Sequence, residues 1–120
     1  DQSIAVPPPS TFTYNAVINV CASVSESSND ETEKANAFEI AIVTFNKLRN
    51  AKHLKPDHIT YGALFRACAT LLPKHNEKRD KILRATFGKC CQEGLMHETV
   101  IYDIQKSVDS EFWRELLLVP

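Results

Sequence analysis

The sequence contains few of the residues and segments that several protein classes depend on. Only three of its 120 residues are glycine and six are proline, which excludes a collagen-like or a glycine-rich low-complexity chain. No run of 18 apolar residues occurs, so we expect neither a membrane-spanning helix nor a membrane partner. The remaining composition, 43% hydrophobic and 24% charged, is typical of a folded chain rather than a disordered one.

Motifs that carry chemistry are equally scarce. The sequence has no glycine-rich phosphate loop, no Gly-x-Ser-x-Gly and no His-x-Glu followed by Cys-x-x-Cys. Its four cysteines include no Cys-x-x-Cys pair, so we expect small apolar side chains rather than zinc ligands. The sequence therefore predicts no catalytic residue, no metal site and no cofactor, and it favours a binding protein over an enzyme.

The formal net charge of −1 argues against a polyanionic partner, but it averages over an uneven distribution. Residues 1–43 carry one basic and six acidic side chains, and residues 90–120 carry two basic and six acidic ones. Residues 44–89 carry eleven basic and three acidic side chains, a net charge of +8. Such a basic centre either contacts phosphates or keeps exposed helix faces in water.

Apolar residues recur at helical spacing after a proline-rich linker, residues 1–10, which cannot continue a helix. The predicted helices are 11–24, about 33–51, 58–72, about 79–93, about 98–109 and a short apolar helix in the tail. No strand pattern with hairpin turns occurs, so the predicted fold class is all-α.

Two local features refine this assignment. In the first helix the residues that recur at spacings of three and four, and so form the expected buried stripe, are Val17, Val20, Cys21 and Val24. The polar segment 25–34 is predicted to be a loop, with Asn29 or Asp30 capping the helix that follows.

The first and third predicted helices share one sequence pattern. Residues 11–23 align with residues 58–70 without a gap, at an offset of 47. The identical pairs are Thr13/Thr60, Tyr14/Tyr61, Ala16/Ala63, Cys21/Cys68 and Ala22/Ala69. The second helix of each unit aligns as well, because residues 44–47 match residues 86–89. A third start appears at residues 100–103, where Tyr102 takes the place of Tyr14 and Tyr61.

This repeat predicts an α-α superhelix in which stacked helix-turn-helix units share one core. The expected units are a first repeat at 11–57, a second at 58–98 and a partial repeat or capping helices at 99–120. The chain begins at Asp1 rather than at Met, which leads us to expect a longer parent protein that supplies neighbouring repeats.

The landmarks of the first unit are Phe12-Thr13-Tyr14-Asn15-Ala16-Val17-Ile18, then Ala41 and Phe45, then Lys55-Pro56-Asp57. With these landmarks the unit resembles a pentatricopeptide repeat. The second unit keeps Tyr61 and Phe87 but has Leu83 for the usual small residue and His97-Glu98 for Pro-Asp. The resemblance covers about residues 11–105, and both units, at 47 and 41 residues, exceed the family's typical length. The tetratricopeptide repeat is the runner-up, but its Trp and Leu-Gly landmarks are missing here.

The resemblance implies binding of single-stranded RNA in the superhelix groove, with about one base per repeat. In the family, the residue after the tyrosine reads the base with help from the last residue of the repeat, since an amide offers both a donor and an acceptor. The implied base-reading residues are Asn15 with Asp57, Gly62 with Glu98, and Asp103 without a visible mate. Asn with Asp is the family's uridine-preferring pair, whereas Gly62 has no side chain and predicts a weak or silent reader.

The residues that the resemblance implies to sandwich bases are Phe12, Ile59 and Val100. Lys47 and Lys89 stand at the same repeat position and are predicted to contact phosphates. Structural roles compete with these assignments: Asp57 directly precedes a helix and suits an N-cap, and Phe12 suits packing equally well.

At the level of the whole protein, the resemblance implies RNA processing, stability or translation in a mitochondrion or plastid. The alternative is a helical-repeat scaffold that binds protein partners without RNA, favoured by the acidic segment 25–34 and by an apolar tail around Trp113. A purely architectural unit inside a longer superhelix is the third hypothesis.

Overall fold

The computed structural model describes residues 7–118, and all regular secondary structure in that range is helical, which confirms the predicted all-α class. The helices are α1 (Thr11–Ala22), α2 (Val24–Ser27), α3 (Glu31–Asn50), α4 (His58–Leu71), α5 (Glu77–Gln92), α6 (Glu98–Ser107) and α7 (Ser110–Leu118). Of the predicted linker, residues 1–6 lie outside the described range, and residues 7–10 form no helix. No helix in the described range is long and apolar enough to cross a membrane.

The helices that start the two repeats begin with the same local device, a reciprocal cap. The Ser10 hydroxyl accepts from the Thr13 N–H at 3.3 Å, and the Thr13 hydroxyl accepts from the Ser10 N–H at 3.2 Å. Asp57 and Thr60 make the equivalent pair of bonds at the start of α4, each at 3.0 Å. Because the first N–H groups of a helix have no internal partner, such caps fix where each helix starts.

The acidic segment 25–34 is not the single loop that the sequence predicts. Helix α2 extends to Ser27 and α3 begins at Glu31, so only residues 28–30 are non-helical. The Asp30 carboxylate accepts from the N–H groups of Thr32 and Glu33 at 2.8 and 3.2 Å, which confirms Asp30 as the cap. Acidic residues in the first turn of α3 are stabilised there by the positive end of the helix dipole.

The helices form two layers with the core between them. Helices α1, α4 and α6 lie side by side with α4 in the middle; α3 packs on α1 and α4, and α5 packs on α4. Helix α7 contacts α6, and its Trp113 ring meets Phe87 of α5 edge to face at 6.3 Å. The largest fully buried apolar side chains of the core are Tyr61, Phe65, Ile18, Leu48, Leu64, Leu83, Ile104 and Val100.

The apolar stripe predicted for α1 is confirmed only at Cys21, since Val24 lies in α2 and is partly buried. Val17 and Val20 are 39% and 70% exposed, whereas the buried face of α1 contains Ile18, Cys21 and Ala22. Among residues 7–118, the main neighbours of α1 are α3 and α4, and Val17 and Val20 face away from both. The periodic pattern identifies apolar positions, but it does not show which of them have a neighbour.

A buried arginine, Arg79, joins the C-terminal ends of α4 and α6. Its Nε donates to the Ala69 carbonyl and its Nη2 to the Ser107 carbonyl, both at 3.4 Å. The last carbonyls of a helix lack internal partners and carry partial negative charge, so a guanidinium stabilises them. One of the eleven basic residues in the centre of the sequence therefore stabilises the fold rather than facing a ligand.

Candidate nucleic-acid interface

Asn15, Asp57 and Thr60 form one hydrogen-bonded network where α1 meets the start of α4. The Asn15 Nδ2 group donates to Asp57 Oδ1 at 3.0 Å, and the Thr60 hydroxyl donates to Asn15 Oδ1 at 2.5 Å. Each end of the amide thus has one internal partner and keeps one N–H and one lone pair. Asn15 is only 4% exposed, so a base that used this remaining capacity would have to approach along the α1–α4 boundary.

The Asp57 carboxylate is held in its ionised form. Burial by itself raises the pKa of this group, but hydrogen bonds from the Thr60 N–H, the Asn15 amide and the Thr60 hydroxyl, together with the nearby His58, outweigh burial and lower it. Asp57 therefore acts as N-cap of α4 and as acceptor for Asn15 at the same time. The structural and the functional interpretation of this residue are compatible.

Gly62, the implied reader of the second unit, makes room for α6. A Cβ atom at Gly62 would lie 2.5 Å from Asp103 Oδ2, so any side chain here would displace the Asp103 carboxylate. Asp103 Oδ2 instead pairs with Nη1 of Arg66 at 3.4 Å, and Arg66 Nη2 donates to Asn19 Oδ1. A polar connection thus runs from α1 through α4 to α6. Asn19 and Arg66 stand at one repeat position, at the same offset of 47 as the aligned first helices, so the alignment itself contains a signal for this pair.

The structure changes the alignment of the third unit by one residue. His97 caps α6 as Asp57 caps α4, and Val100 and Ile104 are buried as Thr60 and Leu64 are, which gives an offset of 40. Tyr102 is 60% exposed and therefore does not stand with the buried Tyr61, as the sequence alignment predicted. It takes the position of Asn15 and Gly62 instead.

This shift alters three implied sites. Val100 is fully buried and faces the core, so it offers no surface to a base. Asp103 no longer stands at the base-reading position, and the counterpart of Asp57 is His97 rather than Glu98, which lies exposed in the first turn of α6. The His97 ring stacks on that of His58, with 4.6 Å between centroids and 30° between planes.

The other implied contacts lie on different surfaces. Phe12 and Ile59 are exposed in the first turns of α1 and α4, at the same edge as the Asn15–Asp57 pair. Lys47 and Lys89 lie in the last turns of α3 and α5, which belong to the second layer. The structure therefore joins Asn15 to Asp57, leaves Phe12 and Ile59 exposed at the starts of the same two helices, and places the two lysines outside the α1–α4–α6 layer.

A cavity of about 650 Å³ lies beyond the C-terminal end of α4. Its charged lining residues are Lys34, Arg66, Lys74, Lys106, Glu31 and Asp103, four basic and two acidic. The formal charge of the lining is therefore +2, in a chain whose net charge is −1. These residues come from four separate segments, so no sequence motif joins them.

Three of the four cysteines are buried, as expected for small apolar side chains, and the fourth is not. Cys21, Cys68 and Cys90 are buried and Cys91 is exposed, and burial raises the pKa of the Cys68 thiol to about 12. Within residues 7–118 no group of three or more His, Cys, Asp or Glu side chains could hold a metal ion.

Comparisons of this chain with protein-family models, with curated proteins and with solved structures found no match.

Proposed function

We propose that this chain is part of an α-α superhelix of the pentatricopeptide type and that it binds single-stranded RNA without catalysing a reaction. The observation that carries the proposal is the pairing of Asn15 with Asp57. The resemblance implies these two residues as one base-reading pair, and their side chains, 42 residues apart in sequence, meet at 3.0 Å.

The packing of the helices supports the superhelical part of the proposal. The first helices of the three units, α1, α4 and α6, are neighbours in chain order, and α3 and α5 lie behind them. Each unit thus contacts mainly the next one, as in repeat proteins whose units share a continuous core.

The chemistry of the α1–α4 edge supports RNA as the ligand. An ionised Asp57 orients the Asn15 amide, which offers a donor and an acceptor to a base edge. The exposed Phe12 and Ile59 supply apolar surface for a base on the same edge. Since Gly62 carries no side chain, the described units should select only one nucleotide strongly.

Binding of labelled oligouridylate, oligoadenylate and oligocytidylate tests this proposal at several salt concentrations. We expect binding that weakens as salt rises, because Lys and Arg release counterions from phosphates, with a preference for uridine. Asn15→Ser keeps a polar group in the network but changes the edge that faces a base. It should reduce the preference at one nucleotide by a factor of about 5 to 100, while overall salt dependence stays the same.

Asn46→Ser on the second layer is the matched control, because Asn46 is exposed on α3 and should not affect RNA binding. Failure of the unmodified chain to bind any of the oligonucleotides at low salt would contradict the proposal. The proposed setting, RNA processing, stability or translation in a mitochondrion or plastid, rests on the family resemblance alone.

A protein-binding scaffold is the second candidate function, and exposed apolar residues favour it. Val17 and Val20 of α1 and Ile40 and Val43 of α3 are exposed. In α4 the positions equivalent to Val17 and Val20 are Leu64 and Ala67, and both of these are buried. The proposed occupant of this face is a further helix pair of the same repeat type. Val20→Lys with Ile40→Lys should then abolish association with such a unit, measured by analytical ultracentrifugation, and leave RNA binding intact.

A further inference from the structure

An exposed aromatic ring and a lysine lie together on the open face of α6. Tyr102 is 60% exposed, and Nζ of Lys106 lies 5.1 Å from the centre of its ring. The two residues are four positions apart and therefore share one face of the helix. The Lys106 ammonium lies over one face of the ring, and the residue is 60% exposed. An exposed aromatic ring with a cation close to it combines the two contacts that single-stranded nucleic acids use, base stacking and phosphate neutralisation.

Lys106 also lines the 650 Å³ cavity described above, so the ring and the cavity adjoin. The lining cations belong to α3, α4, the α4–α5 loop and α6. Among the described residues only Arg66 of these four makes an ion pair within 4.0 Å, with Asp103. Lys34, Lys74 and Lys106 are left available for an anionic ligand.

We propose that Tyr102 and Lys106 form a stacking and phosphate subsite for single-stranded RNA, with the strand continuing towards Lys74 in the cavity lining. The Tyr102 ring stacks on a nucleobase, and the Lys106 ammonium neutralises a neighbouring phosphate. This inference rests on the proposed RNA binding, but it concerns a different helix: Tyr102 stands on α6 at the repeat position of Asn15, and Lys106, one turn further along α6, lines the cavity.

The proposed phosphate contact at Lys106 takes the place of the contacts at Lys47 and Lys89 that the sequence predicted. Lys47 and Lys89 belong to the second layer, whereas Lys106 lies on α6 in the same layer as α1 and α4. Lys106 is in the last turn of α6, where a cation also complements the helix dipole. Because that contribution affects folding and not ligand binding, the test needs a stability measurement in parallel.

The experiment uses oligouridylates in which a single 2-aminopurine is moved through successive positions, since this base loses fluorescence when it stacks on an aromatic ring. One position should be quenched strongly by the unmodified chain and by Tyr102→Phe, which keeps the ring. Tyr102→Ala should abolish that quenching and weaken binding about 5- to 100-fold. Lys106→Ala should reduce the slope of log affinity against log salt by about 0.7, whereas Lys81→Ala, an exposed lysine of α5, should not.

The outcomes separate this inference from the proposed function. Quenching and affinity that persist in Tyr102→Ala, in a chain that binds RNA, overturn the subsite and leave the proposed function standing. An unmodified chain that binds no RNA overturns both. Stacking is overturned as the role of Tyr102 when Tyr102→Phe loses as much binding as Tyr102→Ala. It is also overturned when Tyr102→Ala lowers the free energy of unfolding together with RNA binding.

Discussion

Helices α1 and α4 carry the same motif and begin with the same kind of cap, yet they occupy different environments. Helix α4 buries ten of its fourteen residues, whereas α1 buries four of its twelve. The difference follows from position: α4 lies between α1 and α6 and is covered by α3 and α5, whereas within the described range α1 packs mainly on α3 and α4. One sequence pattern thus produces a core helix in one place and an edge helix in another.

The same comparison explains the distribution of polar residues. At one repeat position α1 has Asn15, α4 has Gly62 and α6 has Tyr102. The Asn15 amide donates to Asp57 at the start of α4, Gly62 makes room for the Asp103 carboxylate of α6, and Tyr102 is exposed. The residue at this one repeat position therefore has a different structural role in each of the three helices.

The largest expected effect is a difference in stability between substitutions on the buried apolar face of α4 and on the exposed apolar face of α1. Leu64→Ala removes a side chain that is 1% exposed and should lower the free energy of unfolding by about 2–5 kcal/mol. Val17→Ala, the equivalent change in α1, should cost less than about 1 kcal/mol, because this side chain is already partly in water. Urea unfolding followed by circular dichroism measures both, and equal losses in the two variants would show that the face of Val17 is covered.

A second, smaller difference should appear at the capping threonines. Thr60→Val keeps the shape of a fully buried side chain but leaves Asn15 Oδ1 and the Asp57 N–H without the Thr60 hydroxyl, a loss of about 1–3 kcal/mol. Thr13→Val removes the same capping bond at an exposed position, where water replaces it, and should cost about 0.5–1 kcal/mol. A Thr13 variant as destabilised as the Thr60 variant would rule out burial as the cause.

Much of the fold could be predicted from the sequence because its determinants are local. Asp30 and Asp57 precede helices and cap them, and Gly94 adopts the positive φ of 73° that ends α5, as its glycine identity suggests. The Asn15–Asp57 contact is not local, but the repeat and the family resemblance together placed these residues in one pair.

The features that sequence reasoning missed depend on neighbours. Whether Val17 is buried depends on a helix beside α1, which no periodicity in α1 itself encodes. The tyrosine at 102 suggested a register that the cap at His97 and the burial of Val100 overrule, because packing fixes the register and side-chain identity does not. The basic cavity joins Lys34 to Lys106, a pair that only the tertiary fold brings together.

The smallest expected effect tests whether charge distinguishes the start of α4 from the start of α1. The pKa of Asp57 is lowered in the folded chain, so its contribution is complete above the unfolded pKa of about 4 and is lost as pH falls through the folded pKa. Asp57→Asn retains an N-cap acceptor but no charge, and it should lower the free energy of unfolding at pH 7 by about 0.3–1 kcal/mol and by progressively less at acid pH.

Unfolding in urea at closely spaced pH values between 2 and 7 measures this difference. Ser10→Asn is the control, because neither the serine nor the asparagine side chain at the N-cap of α1 titrates. The difference between the unmodified chain and Asp57→Asn should shrink as the solution becomes acidic, while the difference for Ser10→Asn stays constant. A pH-independent difference for Asp57→Asn would mean that the geometry of the side chain, and not its charge, supports the contact with Asn15. The two helix starts would then differ only in their burial, as the two apolar faces do.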